Sequence, residues 1–158
     1  TLWLLRHAKA GPHGAMADHE RTLEQRGERD AAHLGHHWLE RHAKPARIVS
    51  STAARAMATA HLFAEAAGYP REAIELDANI YDSRPGVLLE IIEATPDTLD
   101  SVMLVGHNPE FTELAHRFDG SITNMPTCAV AMLQFDVKTW AGLRKARVSG
   151  SSLEYPAG

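Results

Sequence analysis

The chain has 158 residues, 44% of them hydrophobic and 23% charged, with a formal net charge of −4. That is the length of one ordinary domain with enough apolar residues for a real core, so a single domain over 1–158 is expected. Bulk positive charge for nucleic acid or an anionic membrane is absent, no apolar run approaches the ~20 residues of a membrane span, and the one cysteine, Cys128, excludes an intrachain disulfide; a cytoplasmic setting fits.

Residues 2–5 form a short apolar run that stops at Arg6-His7, the pattern of a buried parallel strand. Residues 8–21 are rich in Gly, Ala, Pro, His and Asp without periodicity and read as a long loop, a kind that is usually functional. Thr22-Leu23-Glu24-Gln25 has capping-box spacing. The helix after it places Ala31, Leu34, Trp38 and Leu39 on one face and ends near 42–44, before Pro45. Residues 47–50 predict a second strand. Ser51 or Thr52 then caps a helix running to Ala67, with Gly68 and Pro70 as its stop and Ala54, Met57, Ala58, His61 and Leu62 as its inner stripe. Residues 74–76 predict a short strand, and Ser83 and Pro85 open a helix through Leu88, Leu89, Ile91 and Ile92.

Residues 101–106 are the clearest strand and run into Gly106-His107-Asn108-Pro109. Asn108 caps the next helix, Pro109 takes its first position, and Phe111, Leu114, Ala115 and Phe118 supply its buried stripe. Residues 128–135 and 143–148 predict two strands joined by a turn over 138–142, too short for a crossover helix and therefore antiparallel. The alternation of strands and helices predicts an α/β fold, a three-layer sandwich with a mostly parallel central sheet flanked by helices.

In such a sheet, ligands sit beyond the carboxyl ends of the strands. Arg6, His7 and His107 stand at two of those ends, and Arg55 lies just inside the helix that follows a third. Phosphoryl transfer needs its spread negative charge neutralised and a nucleophile in line. A guanidinium does the first, binding phosphate through a planar fork. A neutral imidazole does the second, provided its other ring nitrogen donates a hydrogen bond, here to a carbonyl of the loop after His7. His107 can donate to the same phosphate, and the free amides of the Asn108 helix favour an anion.

Leu5-Arg6-His7-Ala8-Lys9 resembles the signature of the histidine phosphatase superfamily, and the whole chain resembles its small SixA-like branch, the phosphohistidine phosphatases. The supporting blocks are Asp18-x-x-Arg21-x-Leu23-x-x-x-Gly27, Ser50-Ser51-x-x-x-Arg55-Ala56-x-x-Thr59, Val105-Gly106-His107-Asn108-Pro109 and Met125-Pro126-Thr127. The resemblance implies a phosphoglycerate mutase-like fold, a metal-independent enzyme without cofactor, His7 as the phosphorylated nucleophile, and Arg6, Arg55 and His107 as holders of the phosphoryl group. It further implies a substrate-side place for Arg21 and Asp18, a phosphohistidine protein as partner, and phosphate or vanadate as pocket anions.

Larger relatives carry a carboxylate that protonates the leaving oxygen. Here Asp18, Asp82 and Glu110 are the available carboxylates, and none is an unambiguous counterpart. An imidazole leaving group needs less help from an acid than an alkoxide, which favours phosphohistidine over a phosphomonoester. A small-molecule phosphomonoesterase and a non-catalytic phosphate-binding module are the rival readings. His33, His36 and His37 share helical spacing but lack a carboxylate or cysteine to complete a metal site, so they read as a solvated face. His13 and His19 fall in the first loop, His61 on an apolar stripe, and Tyr81 either borders the pocket or packs.

Overall fold

The computed structural model describes every residue except 13, 15 and 158. The described strands form one six-stranded sheet: β1 (Leu2–Arg6), β2 (Ile48–Ser50), β3 (Glu75–Leu76), β4 (Val102–Gly106), β5 (Val130–Asp136) and β6 (Arg147–Glu154). Their spatial order is β3-β2-β4-β1-β5-β6. The first four are parallel, whereas β5 runs antiparallel to β1 and β6 antiparallel to β5. The helices are α1 (Gln25–Trp38), α2 (Ala54–Ala67), α3 (Pro85–Glu93) and α4 (Glu110–Phe118).

Successive side chains of a strand point to opposite faces, and here each face has its own core. Trp3, Leu5, Ile48, Met103 and Val105 pack with Ala31 and Trp38 of α1 and Ala56, Ala60 and Phe63 of α2. Leu2, Leu4, Val49, Val102 and Leu104 pack with Leu88, Leu89 and Ile92 of α3 and Phe111, Leu114 and Ala115 of α4. The expected three-layer sandwich is the fold. No helix among the described residues is long and apolar enough to cross a membrane.

Several local details differ from expectation. No capping box opens α1, because the backbone of this stretch pairs with the first loop: Gly11 N–H donates to Thr22 O (2.9 Å) and Glu24 N–H to Lys9 O (2.9 Å). Leu39 lies past the end of α1 and is 58% exposed. The buried stripe of α2 is Arg55, Ala56, Thr59, Ala60, Phe63, Ala64 and Ala67 rather than the row through Met57, His61 and Leu62. Small side chains face inward because α1 packs close; a Cβ on Gly35 would come within 2.5 Å of Phe63 O. Helix α4 starts at Glu110, one residue late, yet Asn108 Oδ1 still accepts from Thr112 N (3.2 Å) and Oγ1 (2.8 Å). Residues 140–145 wind into a 3-10 turn that buries Trp140 and Leu143, so the last strand begins only at Arg147.

Candidate active site

The carboxyl ends of β2, β4 and β1 lie side by side, and the chain leaves each through a polar residue. His7 is clamped by its backbone: its N–H donates to Gly106 O at the end of β4 (2.9 Å), and its carbonyl accepts from Cys128 N (3.0 Å). Its ring Nδ1 is 2.8 Å from Ala8 O. A carbonyl can only accept, so Nδ1 carries the proton and Nε2 holds the lone pair. The side chain is 7% exposed. Burial, then the Arg55, Arg6 and Arg21 charges, push its pKa down to about 4 against the Ala8 hydrogen bond that raises it. His7 is therefore a neutral imidazole near pH 7 with Nε2 unprotonated.

His107 leaves the end of β4, and its ring lies 5.3 Å from that of His7. Burial, the neighbouring His7 and the Arg55 charge lower its pKa to about 3. Nε2 is 2.8 Å from Ser51 Oγ, and Nδ1 is buried without a hydrogen-bond partner among the described residues. Arg6 Nη1 donates to Met125 O (2.9 Å), and its Nε is likewise buried and unpartnered.

Arg55 reaches the site because the buried stripe of α2 includes it. Its Nη1 donates to Asp18 O (2.8 Å) and Nη2 to Asp18 Oδ2 (3.1 Å), leaving a buried Nε–H unpartnered among the described residues. Asp18 lies in a 3-10 turn (Asp18–Glu20) of the first loop. Besides Arg55, its carboxylate accepts from Tyr81 OH (2.6 Å) and Arg21 Nε (3.0 Å). The Tyr81 hydroxyl first, and the Arg55 and Arg21 charges with it, hold the Asp18 carboxyl well below the usual carboxylate range. Arg21 also donates to Gly11 O (3.1 Å), so it ties the two ends of the loop together. Behind the nucleophile, Ala8 N–H donates to Thr59 Oγ1 (3.0 Å), which donates to Arg55 O (2.8 Å).

The structure thus brings Arg6, His7, Arg55 and His107 together and links Asp18 and Arg21 to Arg55 through one carboxylate. Asp82 is exposed, in a left-handed backbone conformation (φ 51°). Glu110 is half-buried at the start of α4, and burial raises its pKa. His19 Nε2 lies 2.9 Å from Thr52 Oγ1 and its ring abuts Tyr81; His13 lies outside the described residues. The sequence left Tyr81 either bordering the pocket or packing and offered Ser51 as a helix cap, without linking them to Asp18 and His107. Ser51 had a usable signal, a hydroxyl at the end of β2 beside the position of His107. Tyr81 had none, since its partner Asp18 is 63 residues away.

No group of three or more His, Cys, Asp or Glu side chains that could hold a metal occurs among the described residues. The rings of His33 and His37 lie 4.3 Å apart, tilted by 49°, and His37 pairs with Glu40 (2.8 Å). A groove of about 910 Å³ between α1 and the end of β6, lined by His33, Trp38, Arg41 and Glu154 among others, includes none of the four clustered Arg and His side chains.

Two guanidiniums beside two neutral imidazoles, one with a free ring nitrogen, can surround a tetrahedral oxyanion and attack it. Residues 2–108 match the histidine phosphatase superfamily (branch 1), and the chain belongs to that family. An uncharacterized protein of Mycobacterium tuberculosis is 34% identical over 113 residues, 70% of this chain and 67% of that one. The crystal structure of SixA from Agrobacterium tumefaciens superposes with a TM-score of 0.82 at 28% identity, covering 99% of this chain and 97% of that one. The protein histidine phosphatase SixA complexed with tungstate shares the fold with a TM-score of 0.78 at 19% identity, over 95% and 94% of the two chains. The architecture is the phosphoglycerate mutase-like one.

Proposed function

We propose that this chain is a metal-independent phosphohydrolase that passes a phosphoryl group through His7, and that its substrate is phosphohistidine on a protein. The observation that carries the reading is the hydrogen bond from His7 Nδ1 to Ala8 O, which leaves Nε2 unprotonated and able to act as the nucleophile. In the first step Nε2 attacks phosphorus, the bond from phosphorus to the leaving imidazole breaks, and that imidazole takes up a proton from solvent. In the second, water attacks the phosphoryl group on His7, the P–N bond breaks, and phosphate leaves with His7 again neutral. Arg6 and Arg55 neutralise the equatorial oxygens in both steps. They supply the charge that a metal would.

Support for the phosphoramidate comes from the carboxylates. Asp18 is held ionised by three donors and has no proton to give, and Asp82 is exposed at a turn. A leaving group that departs readily suits such a site. The SixA likeness points the same way.

The test is a substrate panel read with a covalent trap. Purified protein should dephosphorylate a phosphohistidine protein faster than sugar phosphates, and prolonged chelation should leave the rate unchanged. Acid-labile, base-stable label should appear on wild type and vanish in His7→Ala. Faster turnover of sugar phosphates establishes the phosphomonoesterase instead. Anion binding without turnover or label establishes a phosphate-binding module.

A further inference from the structure

The Ser51 hydroxyl is completely buried and has two neighbours in hydrogen-bonding range. Ala53 N–H donates to its oxygen (3.1 Å), and His107 Nε2 lies 2.8 Å away. A serine hydroxyl has one proton to donate. Ala53 N–H cannot accept it, and among the described residues His107 Nε2 is the acceptor within hydrogen-bonding range. The arrangement that satisfies the Ser51 hydroxyl and His107 Nε2 together has Ser51 O–H donating to His107 Nε2. The imidazole proton then sits on Nδ1, the ring nitrogen that no described residue engages. Were the proton on Nε2 instead, two donors would face each other or the serine proton would be stranded in the core.

Resting on the phosphohydrolase reading above, we infer that Ser51 is a positioning residue that fixes the tautomer of His107, so that His107 meets the phosphoryl group as a neutral Nδ1–H donor. Burial beside Arg55 and His7 keeps the ring uncharged across the neutral range, which agrees with this assignment. The consequence is chemical. A neutral imidazole N–H gives a hydrogen bond without giving up its proton, so His107 stabilises charge on an equatorial oxygen and is not the acid for the leaving group. The two histidines are then complementary: the Ala8 carbonyl makes His7 Nε2 an acceptor, and the Ser51 hydroxyl makes His107 Nδ1 a donor.

The tautomer can be read without turnover. Long-range proton–nitrogen spectra of protein labelled in its imidazole nitrogens, with the His107 signals assigned by their loss in His107→Asn, should show a protonated Nδ1 at pH 7. Ser51→Ala should redistribute the proton toward Nε2, and Ser51→Thr, which keeps the hydroxyl, should restore it. A protonated Nε2 in wild type, or a Ser51→Ala spectrum like wild type, overturns the inference. A second measurement compares side-chain amides. His107→Asn places an N–H where Nδ1 stands, and His107→Gln places it where Nε2 stands. Asn should retain at least tenfold more kcat and tighter vanadate binding than Gln; equal or reversed values overturn the inference. If instead His7 proves not to be phosphorylated, the spectra still report the tautomer, and the phosphohydrolase reading alone fails.

Discussion

Gly27 lies in α1, twenty residues along the chain from His7, yet its replacement by alanine should disable turnover. A Cβ there would stand 2.2 Å from Lys9 O, 2.9 Å from Lys9 N and 3.1 Å from Lys9 C. Since a carbon needs more than 3 Å from an oxygen, the Lys9 peptide must retreat by roughly 1 Å. Lys9 O also accepts from Glu24 N–H, and the preceding Ala8 both anchors His7 Nδ1 and rests on Thr59. Overpacking of this kind costs ~1–3 kcal/mol, offset by up to ~1 kcal/mol because alanine is the better helix former. A displacement of about 1 Å at a reacting group can cost ~10²-fold in rate. Gly35→Ala is the control: its Cβ would meet Phe63 O at 2.5 Å and Ala66 Cβ at 2.7 Å, a comparable clash that falls beyond Thr59 on α2 and away from the Ala8–Lys9 backbone. Urea unfolding should therefore show similar losses for the two variants. Hydrolysis of p-nitrophenyl phosphate should fall ~10²-fold in Gly27→Ala and stay within about twofold of wild type in Gly35→Ala. Equal kcat in the two would refute the coupling of α1 to the nucleophile.

The buried histidines should make the fold sensitive to acid. Their folded pKa values, about 4 for His7 and about 3 for His107, lie below the ordinary 6.5. The unfolded chain thus binds protons that the folded chain refuses, and stability that is full above pH 6.5 is lost as pH falls toward 4; for His7 this amounts to about 3 kcal/mol. Urea midpoints at pH 7.5 and 4.5 should differ less in His7→Asn than in wild type, and equal differences would show that His7 is not held neutral. Asp18→Asn should lower kcat/KM about tenfold by loosening Arg55, in line with the loss of a charge-assisted contact. Because Asp18 orients rather than protonates, the loss should be the same for aryl phosphates of every leaving-group pKa, and a loss that grows with that pKa would identify Asp18 as the acid.

What could be read from residues alone followed from contrast in the sequence. The runs at 2–5 and 102–105 are uniformly apolar and break at Arg6-His7 and Gly106-His107, so the strands and the places of His7 and His107 were both legible. Helix α2 has alanine at seven of the first fourteen positions after Ala53, and with so little contrast its inner row was placed out of phase. The capping-box pattern at 22–25 was outcompeted by pairing with residues 9–11, a tertiary partner that local spacing does not reveal. Tyr81 reaches Asp18, and Ser51 reaches His107 56 residues later, through side-chain contacts set by the sheet order rather than by any motif.

The family pattern stops at residue 108, but the hold on Arg6 and His7 does not. Met125 O receives both Arg6 Nη1 and Asn108 Nδ2, Cys128 N supports the His7 carbonyl, and Ala129 O receives Arg6 N–H. Every one of these later groups belongs to the main chain. A peptide carbonyl or amide imposes a position without imposing a side chain, so this segment is free to drift in composition while its path through space stays fixed. The support of the nucleophile is carried there by backbone geometry. A chain shortened to the recognisable pattern would keep Arg6, His7, Arg55 and His107 and lose what aims the first two of them.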